Sequence, residues 1–387
     1  MERYGNIKGK AFFLLMFLWF IWFMNFSVRT VFAPIMPLIE DEFLISHAKA
    51  SSLYVFTSLG YGISLFFSGM LSGLFGYKRS IIASLLVSAA VFFILPSIKA
   101  FSLVSLSTFV LGLSTGVYLP SIIPLITEYY NEKVWGRAIA IHDTAASISI
   151  FSIPFIALFF LRFLQWRQIF YVFGIVFIIS IVVFAITIQE IKIQTKTGNI
   201  LGDLVKSKTL WLMGAIWIFA AGANLGVYFI IPLYLTKELS LDIGYANKIF
   251  GISRLGGVFV AIMSGFIIDR FSLKKTMFFV VSVAGVFTML LACKDIRFLE
   301  VFLFLQASVM GGFFPVGLVS ISRAFNREQR GMATGLIVTL GVIFGLGIIP
   351  YFLGLSGDLV SFRLGMFVLG VLMVLVSGLT FFLKELK

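Results

Sequence analysis

Four ionisable side chains stand where the sequence is otherwise apolar. They are Arg29 in WFMNFSVRTVFAPIM, Arg254 in ANKIFGISRLGGVFV, and the adjacent pair His142 and Asp143 in GRAIAIHDTAASISIF. A guanidinium stays charged at any biological pH and presents a planar fork of donors that matches carboxylate or phosphate oxygens. At the centre of a membrane helix it costs about 2.5–3.5 kcal/mol or more, so it persists where it faces a cavity or a partner. Helical rise places Arg29 roughly 28 Å from Lys10 and roughly 16 Å from Glu40. The same arithmetic places Arg254 roughly 9 Å from Lys248 and roughly 22 Å from Asp269. The two arginines thus share a similar depth, somewhat outside the midplane. Asp143 is the one acid clearly inside such a run, about one and a half turns from its cytoplasmic end. The interior is therefore net positive, which suits an anion held by both guanidiniums. The competing reading is that the arginines snorkel toward the outer headgroups, easier for Arg254 than for Arg29.

A His beside an Asp within a span can titrate near neutrality and carry a coupling proton. The alternative is that Asp143 pairs with Arg137 while His142 ends a polar helix face. Adjacent residues point about 100° apart on a helix, so one of the two faces the cavity. Asn25, Tyr118, Ser121, Asn224, Tyr228 and Gln306 are further candidates to line it, and hydrogen bonding between helices is the competing role for each. One Cys and two His leave no metal-ligand cluster. No phosphate-cradling Gly-Lys motif or catalytic triad appears, so neither a metal, a cofactor nor an enzymatic activity is expected.

The elements that must position these residues follow from composition. Hydrophobic residues make up 60% of the 387 and charged residues 12%, against about 45–50% and about 25% in soluble domains. Water cannot be the main solvent for such a chain. A spanning helix needs roughly 20 apolar residues, and twelve such stretches lie near 11–36, 51–73, 80–98, 102–127, 138–161, 168–188, 209–235, 249–268, 276–293, 299–321, 333–355 and 364–383. The first is too long for a secretory signal and has no small-residue cleavage site, so it reads as a retained helix. With the termini placed inside, 19 basic residues fall in cytoplasmic segments and 9 in external ones. Basic residues favour the cytoplasmic side, which sets both termini there. This sorting accounts for most of the net charge of +13, with no need for nucleic acid. Gly341, Gly345 and Gly347 before Pro350 suggest close packing and bending of the eleventh span.

The two halves match at an offset of 195 residues. Gly116, Pro120, Asn131, Gly136 and Ala138 recur as Gly311, Pro315, Asn326, Gly331 and Ala333, and Pro37 recurs as Pro232. Several matched Gly and Pro positions at one offset indicate a duplicated half, the organisation of a transporter with its site between two bundles. The expected architecture is an all-α membrane protein of twelve transmembrane helices in two pseudo-symmetric six-helix bundles. The N-terminal bundle covers 1–188, a cytoplasmic linker 189–208 and the C-terminal bundle 209–387.

On these residues the chain resembles the major facilitator superfamily over essentially its whole length. The superfamily's loop signature, G-x-L-a-D-r-x-G-r-r, is similar to Gly69-Met70-Leu71-Ser72-Gly73-Leu74-Phe75-Gly76-Tyr77-Lys78-Arg79. The acidic position is Gly73 here, while the second copy keeps Asp269 and Arg270. The resemblance implies that these loops clamp the cytoplasmic side, which makes Gly69, Gly76, Arg79, Asp269 and Arg270 gating candidates. Around Arg29, the pattern Arg29-x-x-Phe32-Ala33-x-x-Met36-Pro37 resembles the first helix of organophosphate:phosphate antiporters and, more loosely, of anion:cation symporters. That resemblance implies an anion-binding role for Arg29. The antiporters' second arginine corresponds here to Asn224, and Arg254 could take its place, as in carriers that use an eighth-helix arginine. Val28 stands where some symporters carry an acid, so proton coupling by that route is not expected.

The expected function is secondary active transport of a small organic anion, a carboxylate or an organophosphate, by alternating access in the cell membrane. Energy would come from protons through Asp143 or His142, or from anion exchange. The alternative is efflux of hydrophobic drugs or transport of a lysolipid-like amphiphile. The expected partners are the anion, the lipid bilayer and protons, with the protein a monomer.

Overall fold

The computed structural model describes residues 4–190, 201–293, 295–326 and 328–386, with the backbone alone for 262 and 264–269. In lipid every backbone N–H and C=O must be satisfied within its own segment, which leaves helices as the solution for apolar runs of this length. Among the described residues eleven helices are long and apolar enough to cross a membrane. They are α1 (Lys10–Phe43), α2 (His47–Phe75), α3 (Tyr77–Ser97), α4 (Phe101–Tyr129), α5 (Glu132–Leu161), α6 (Trp166–Thr187), α7 (Lys208–Glu238), α9 (Leu273–Leu290), α10 (Ile296–Ala324), α11 (Arg330–Leu359) and α12 (Phe362–Phe382). Between α7 and α9 lies α8, in two pieces, Ile243–Ser253 and Leu255–Arg270, that meet at Arg254. α8 begins earlier than the eighth stretch expected from the sequence, 249–268, and is interrupted.

Two compact units result. One comprises Met1–Phe32 with Leu59–Lys196, the other Ala33–Ser58 with Thr197–Lys387. The end of α1 and the start of α2 therefore belong to the second unit. Of the linker, 191–200 lie outside the described residues, and a short helix, Leu201–Lys206, precedes α7.

Periodicity shows which solvent each face meets. On α6, Phe170, Phe173, Phe177, Ile181 and Phe184 are buried, while Ile175, Ile179, Val182 and Ile186 are exposed. Both sets recur at three- and four-residue spacing, so one face packs and an equally apolar one is left for lipid. Because lipid is as apolar as Leu, helix association in the membrane leans on close packing and on hydrogen bonds. Ser72 meets Ser121 at 2.8 Å, and Ser88 meets Ser114 at 2.8 Å. Each such pair contributes about 0.6 kcal/mol.

The repeated positions do the same physical work in both halves. A Cβ at Gly116 would lie 2.6 Å from the Tyr61 carbonyl, and one at Gly311 would lie 2.4 Å from the Gly257 carbonyl. Only glycine admits these crossings of α4 with α2 and of α10 with α8. Asn131 accepts from the Lys133 N–H and Asn326 from the Gln329 N–H, so each opens the turn that follows its helix. Wider π-helical turns interrupt α7 at Gly222–Gly226 and α11 at Gly341–Ile348, the latter where the sequence suggests bending. Such turns are frequent at functional sites.

Candidate functional site

In the first unit, α1 carries Trp22, Phe26 and Arg29 at helical spacing on one face. The guanidinium carbon of Arg29 lies 4.3 Å from the Phe26 ring centre, 6.0 Å from that of Trp22, and 4.2 Å from that of Tyr61 on α2. Arg29 is 8% exposed. No carboxylate pairs with it among the described residues, and its Nε and Nη2 are buried without a hydrogen-bond partner. A cation over a ring gains about 0.5–2 kcal/mol, the more the drier the site. Three rings therefore offset much of the cost of holding the charge in the membrane, and they leave Nε and Nη2 unused. The donor edge that would fork a carboxylate or phosphate is left over.

Beside this cage, Trp22 stacks on Tyr118 at 5.5 Å and on His142 at 6.0 Å, with rings nearly parallel in both pairs. His142 is fully buried, its Nε2 3.3 Å from the Tyr118 hydroxyl, which donates to the Leu18 carbonyl. Asp143, next in sequence, is exposed. Among the described residues it forms no ion pair, so the pairing with Arg137 that would make it structural is not found. The Trp22 indole N–H is buried without a hydrogen-bond partner among the described residues. Next to Asp143, Thr144 accepts from the Trp19 indole at 2.9 Å. Asn25 is fully buried, donating to the Thr115 carbonyl and keeping Oδ1 unpartnered. Ser121 and Tyr118 are engaged between helices.

In the second unit, Arg254 stands at the break in α8, its N–H reaching back to the Gly251 carbonyl. It is 4% exposed, with Nε and Nη2 again unpartnered. Its rings are more distant, Tyr228 at 5.1 Å and Phe250 at 5.5 Å. Tyr228 packs on Phe250 and on Phe229, and Phe229 stacks on Tyr54 at 4.0 Å. The Tyr54 hydroxyl is buried and unpartnered. Asn247 donates to the Pro34 carbonyl, and Gln306 to the Ala223 carbonyl. Both keep a buried side-chain oxygen free. Asn224 is half-buried within the π-helical turn of α7.

The loop candidates divide. Gly69 has open space around it. Gly76 has φ +85°, and a Cβ there would meet the Glu190 carboxylate at 2.3 Å. That carboxylate accepts from the N–H groups of Lys78 and Arg79 and lies 3.9 Å from the Arg79 guanidinium. Glu190, from just beyond α6, thus caps the start of α3. Arg270 is exposed, and the side chain of Asp269 lies outside the described residues. A further charged cluster joins Ala33–Ser58 to the rest of its unit. Lys237 pairs with Asp41, Glu40 meets His47 Nδ1 at 2.8 Å, and the Asp358 carboxylate accepts from the His47 and Ala48 N–H groups. Sequence reasoning misses Trp22, Phe26, Tyr61, Phe250, Tyr54 and Glu190. Aromatic residues three and seven positions before Arg29 and four before Arg254 are the signal that could have found three of them.

Eleven helices among the described residues are long and apolar enough to span a membrane, which marks a multi-pass membrane protein. The sequence profile of the Major Facilitator Superfamily matches residues 18–294 and again 249–387, and the chain belongs to that family. It is a multi-pass membrane protein that transports, and not an enzyme. It is similar to the TsgA homolog of Buchnera aphidicola subsp. Acyrthosiphon pisum, 23% identical over 365 residues, 91% of this chain and 90% of the other. The TsgA homolog of Yersinia enterocolitica is 24% identical over 62% of each chain. Among solved structures, a bacterial homolog of the human lysosomal transporter Spinster shares the fold with a TM-score of 0.79, 13% identity and coverage of 98% and 99%. The nucleoside transporter NupG gives 0.80, 13%, 96% and 100%. The D-xylose-proton symporter gives 0.78, 14%, 96% and 97%.

Proposed function

We propose that this protein is a secondary transporter of a small organic anion, a carboxylate or an organophosphate. It would work by alternating access, with both termini on the cytoplasmic side. Arg29 and Arg254 are its anion-binding residues, each able to take oxygens side-on along its Nε–Nη2 edge. The observation that carries this reading is that both buried guanidiniums keep this same edge unpaired, with no carboxylate beside them among the described residues. A buried donor edge costs free energy while it stands empty, so an anion that fills it is strongly favoured. Asn25, Gln306, Tyr118, Tyr228 and Asn224 are assigned to shaping these surroundings. Asp143, exposed and unpaired, is the proton-coupling residue, while His142 is enclosed among rings and supports the stack. Gly76, Arg79 and Arg270 are assigned to the gating loops.

The test is uptake and exchange of a panel of carboxylates and phosphates in proteoliposomes, with Arg29→Ala and Arg254→Ala alongside the parent. Transport of an anion that both substitutions abolish supports the reading. If only neutral or cationic lipophiles moved, the alternative of drug or lysolipid-like amphiphile transport would replace it.

A further inference from the structure

Three rings of the first unit lie almost parallel. Trp22 stacks on Tyr118 at 5.5 Å and on His142 at 6.0 Å, and Tyr118 lies 6.1 Å from His142. Their hydrogen bonding follows atom by atom. The Leu18 carbonyl only accepts, so the Tyr118 hydroxyl commits its proton there. The Tyr118 oxygen, 3.3 Å from His142 Nε2, is then left to accept, which puts the imidazole proton on Nε2. In the neutral ring Nδ1 is consequently a bare acceptor, and it is buried with no partner among the described residues. On the neighbouring ring, the Trp22 indole N–H is a buried donor in the same condition. Stacking fixes both ring planes, and with them the directions in which this donor and this acceptor point.

We propose that Trp22 and His142 form a hydroxyl-recognition subsite beside Arg29, so that the transported anion carries a hydroxyl a few carbons from its charged group. The inference rests on the anion-transport reading given above. The Arg29 guanidinium carbon lies 6.0 Å from the Trp22 ring centre. At roughly 1.5 Å per bond, that span sets the hydroxyl about three or four carbons from the anionic group. Asn25 extends the subsite. It stands three residues after Trp22 and four before Arg29, on the same face of α1. Its amide nitrogen donates to the Thr115 carbonyl, which leaves Oδ1 as a second buried acceptor without a partner.

The pairing of a free donor with a free acceptor selects the group. A carbonyl accepts from Trp22 but leaves His142 Nδ1 empty. An ammonium donates to Nδ1 but leaves the indole N–H empty, and it brings a second positive charge beside Arg29. A hydroxyl does both with one atom. An analogue that lacks it leaves buried polar atoms unpaired, which is how a site built for hydrogen bonding rejects an apolar substrate of the same shape.

The test is equilibrium binding of matched anions to the purified full-length protein at fixed pH. The probes are 4-hydroxybutanoate against pentanoate and 3-hydroxypropyl phosphate against butyl phosphate, pairs of equal charge and nearly equal size. In the parent, the hydroxylated member of at least one pair should bind about 10- to 100-fold more tightly. His142→Phe and Trp22→Phe keep a ring but lose Nδ1 or the N–H, and each should cut that ratio by about threefold or more. A ratio near one in the parent overturns the proposal, because a buried water then fills the gap whichever anion is bound. So does a ratio that both substitutions leave unchanged. Tighter binding of 4-aminobutanoate than of 4-hydroxybutanoate overturns it in favour of an amine. The comparison in the parent needs no substitution, so it decides the matter even if a variant does not fold. Failure here is distinct from failure of the underlying reading. Equal binding within both pairs, lost in Arg29→Ala, removes the subsite and keeps the anion. Binding of no carboxylate or phosphate by the parent overturns both.

Discussion

Arg29 and Arg254 carry the same charge at similar burial, yet their settings differ in mechanics. Arg29 lies inside the long helix Lys10–Phe43, with rings at 4.2 and 4.3 Å. Arg254 lies at a break between two helices, with rings at 5.1 and 5.5 Å. Glycines at 251, 256 and 257 surround that break. A continuous helix holds a side chain in place, while a break absorbs backbone rotation. In the proposed mechanism the first arginine is therefore held in place and the second follows the conformational change.

The largest effect expected is loss of transport on removing either guanidinium. Arg29→Ala and Arg254→Ala should each lower kcat/KM for the transported anion by about 100-fold, the scale of breaking a buried charged hydrogen bond. Lysine sharpens the comparison. A point charge cannot reproduce the fork, so Arg29→Lys in its tight cage should recover little. Arg254→Lys, in the looser cage, should recover more, about 10-fold above its Ala variant in initial uptake rate. Equal behaviour of the two Lys variants would break the distinction between the sites.

Next in size is the response to pH. Protonating Asp143 adds positive charge near Arg29, so anion uptake by the parent should rise as pH falls, and Asp143→Asn should flatten the profile. A profile unchanged by Asp143→Asn would move the coupling elsewhere. Smaller still are the rings. Tyr61→Leu should weaken anion affinity by about 2- to 30-fold, the range of one cation–π contact, and Tyr228→Leu by less. Equilibrium binding checks this order, and a larger effect at Tyr228 would reverse the ranking of the cages. The smallest change is expected at Lys237→Ala, whose ion pair with Asp41 is partly exposed and contributes about 0–1 kcal/mol. Thermal unfolding should show a shift of a few degrees at most.

Much of this was readable in the chain. A charge inside an apolar run is costly anywhere in a membrane protein, so Arg29, Arg254 and Asp143 stood out without a structure. The repeat exposed Gly116 and Gly311 because a helix crossing tolerates no side chain, and the crossings are where the offset placed them. The cages were harder. Phe26 and Trp22 carry a helical spacing to Arg29, but Tyr61 comes from another helix, and 46 Phe make an aromatic neighbour uninformative on its own. Glu190 escaped for a related reason: its role is defined by the helix start it caps, 111 residues earlier at Arg79. Which of His142 and Asp143 faces outward depended on how α5 is rotated against α1, and weak amphipathicity in a membrane helix leaves that rotation unspecified.

The central claim, that two buried forks bind one class of anion, is tested most directly by equilibrium binding. Affinity for the transported carboxylate or phosphate should be measured in the parent, Arg29→Ala, Arg254→Ala and the double variant at fixed pH. The account predicts that each single substitution weakens binding by about 100-fold and that the double variant shows no measurable binding. Parent-like affinity in the double variant would contradict it.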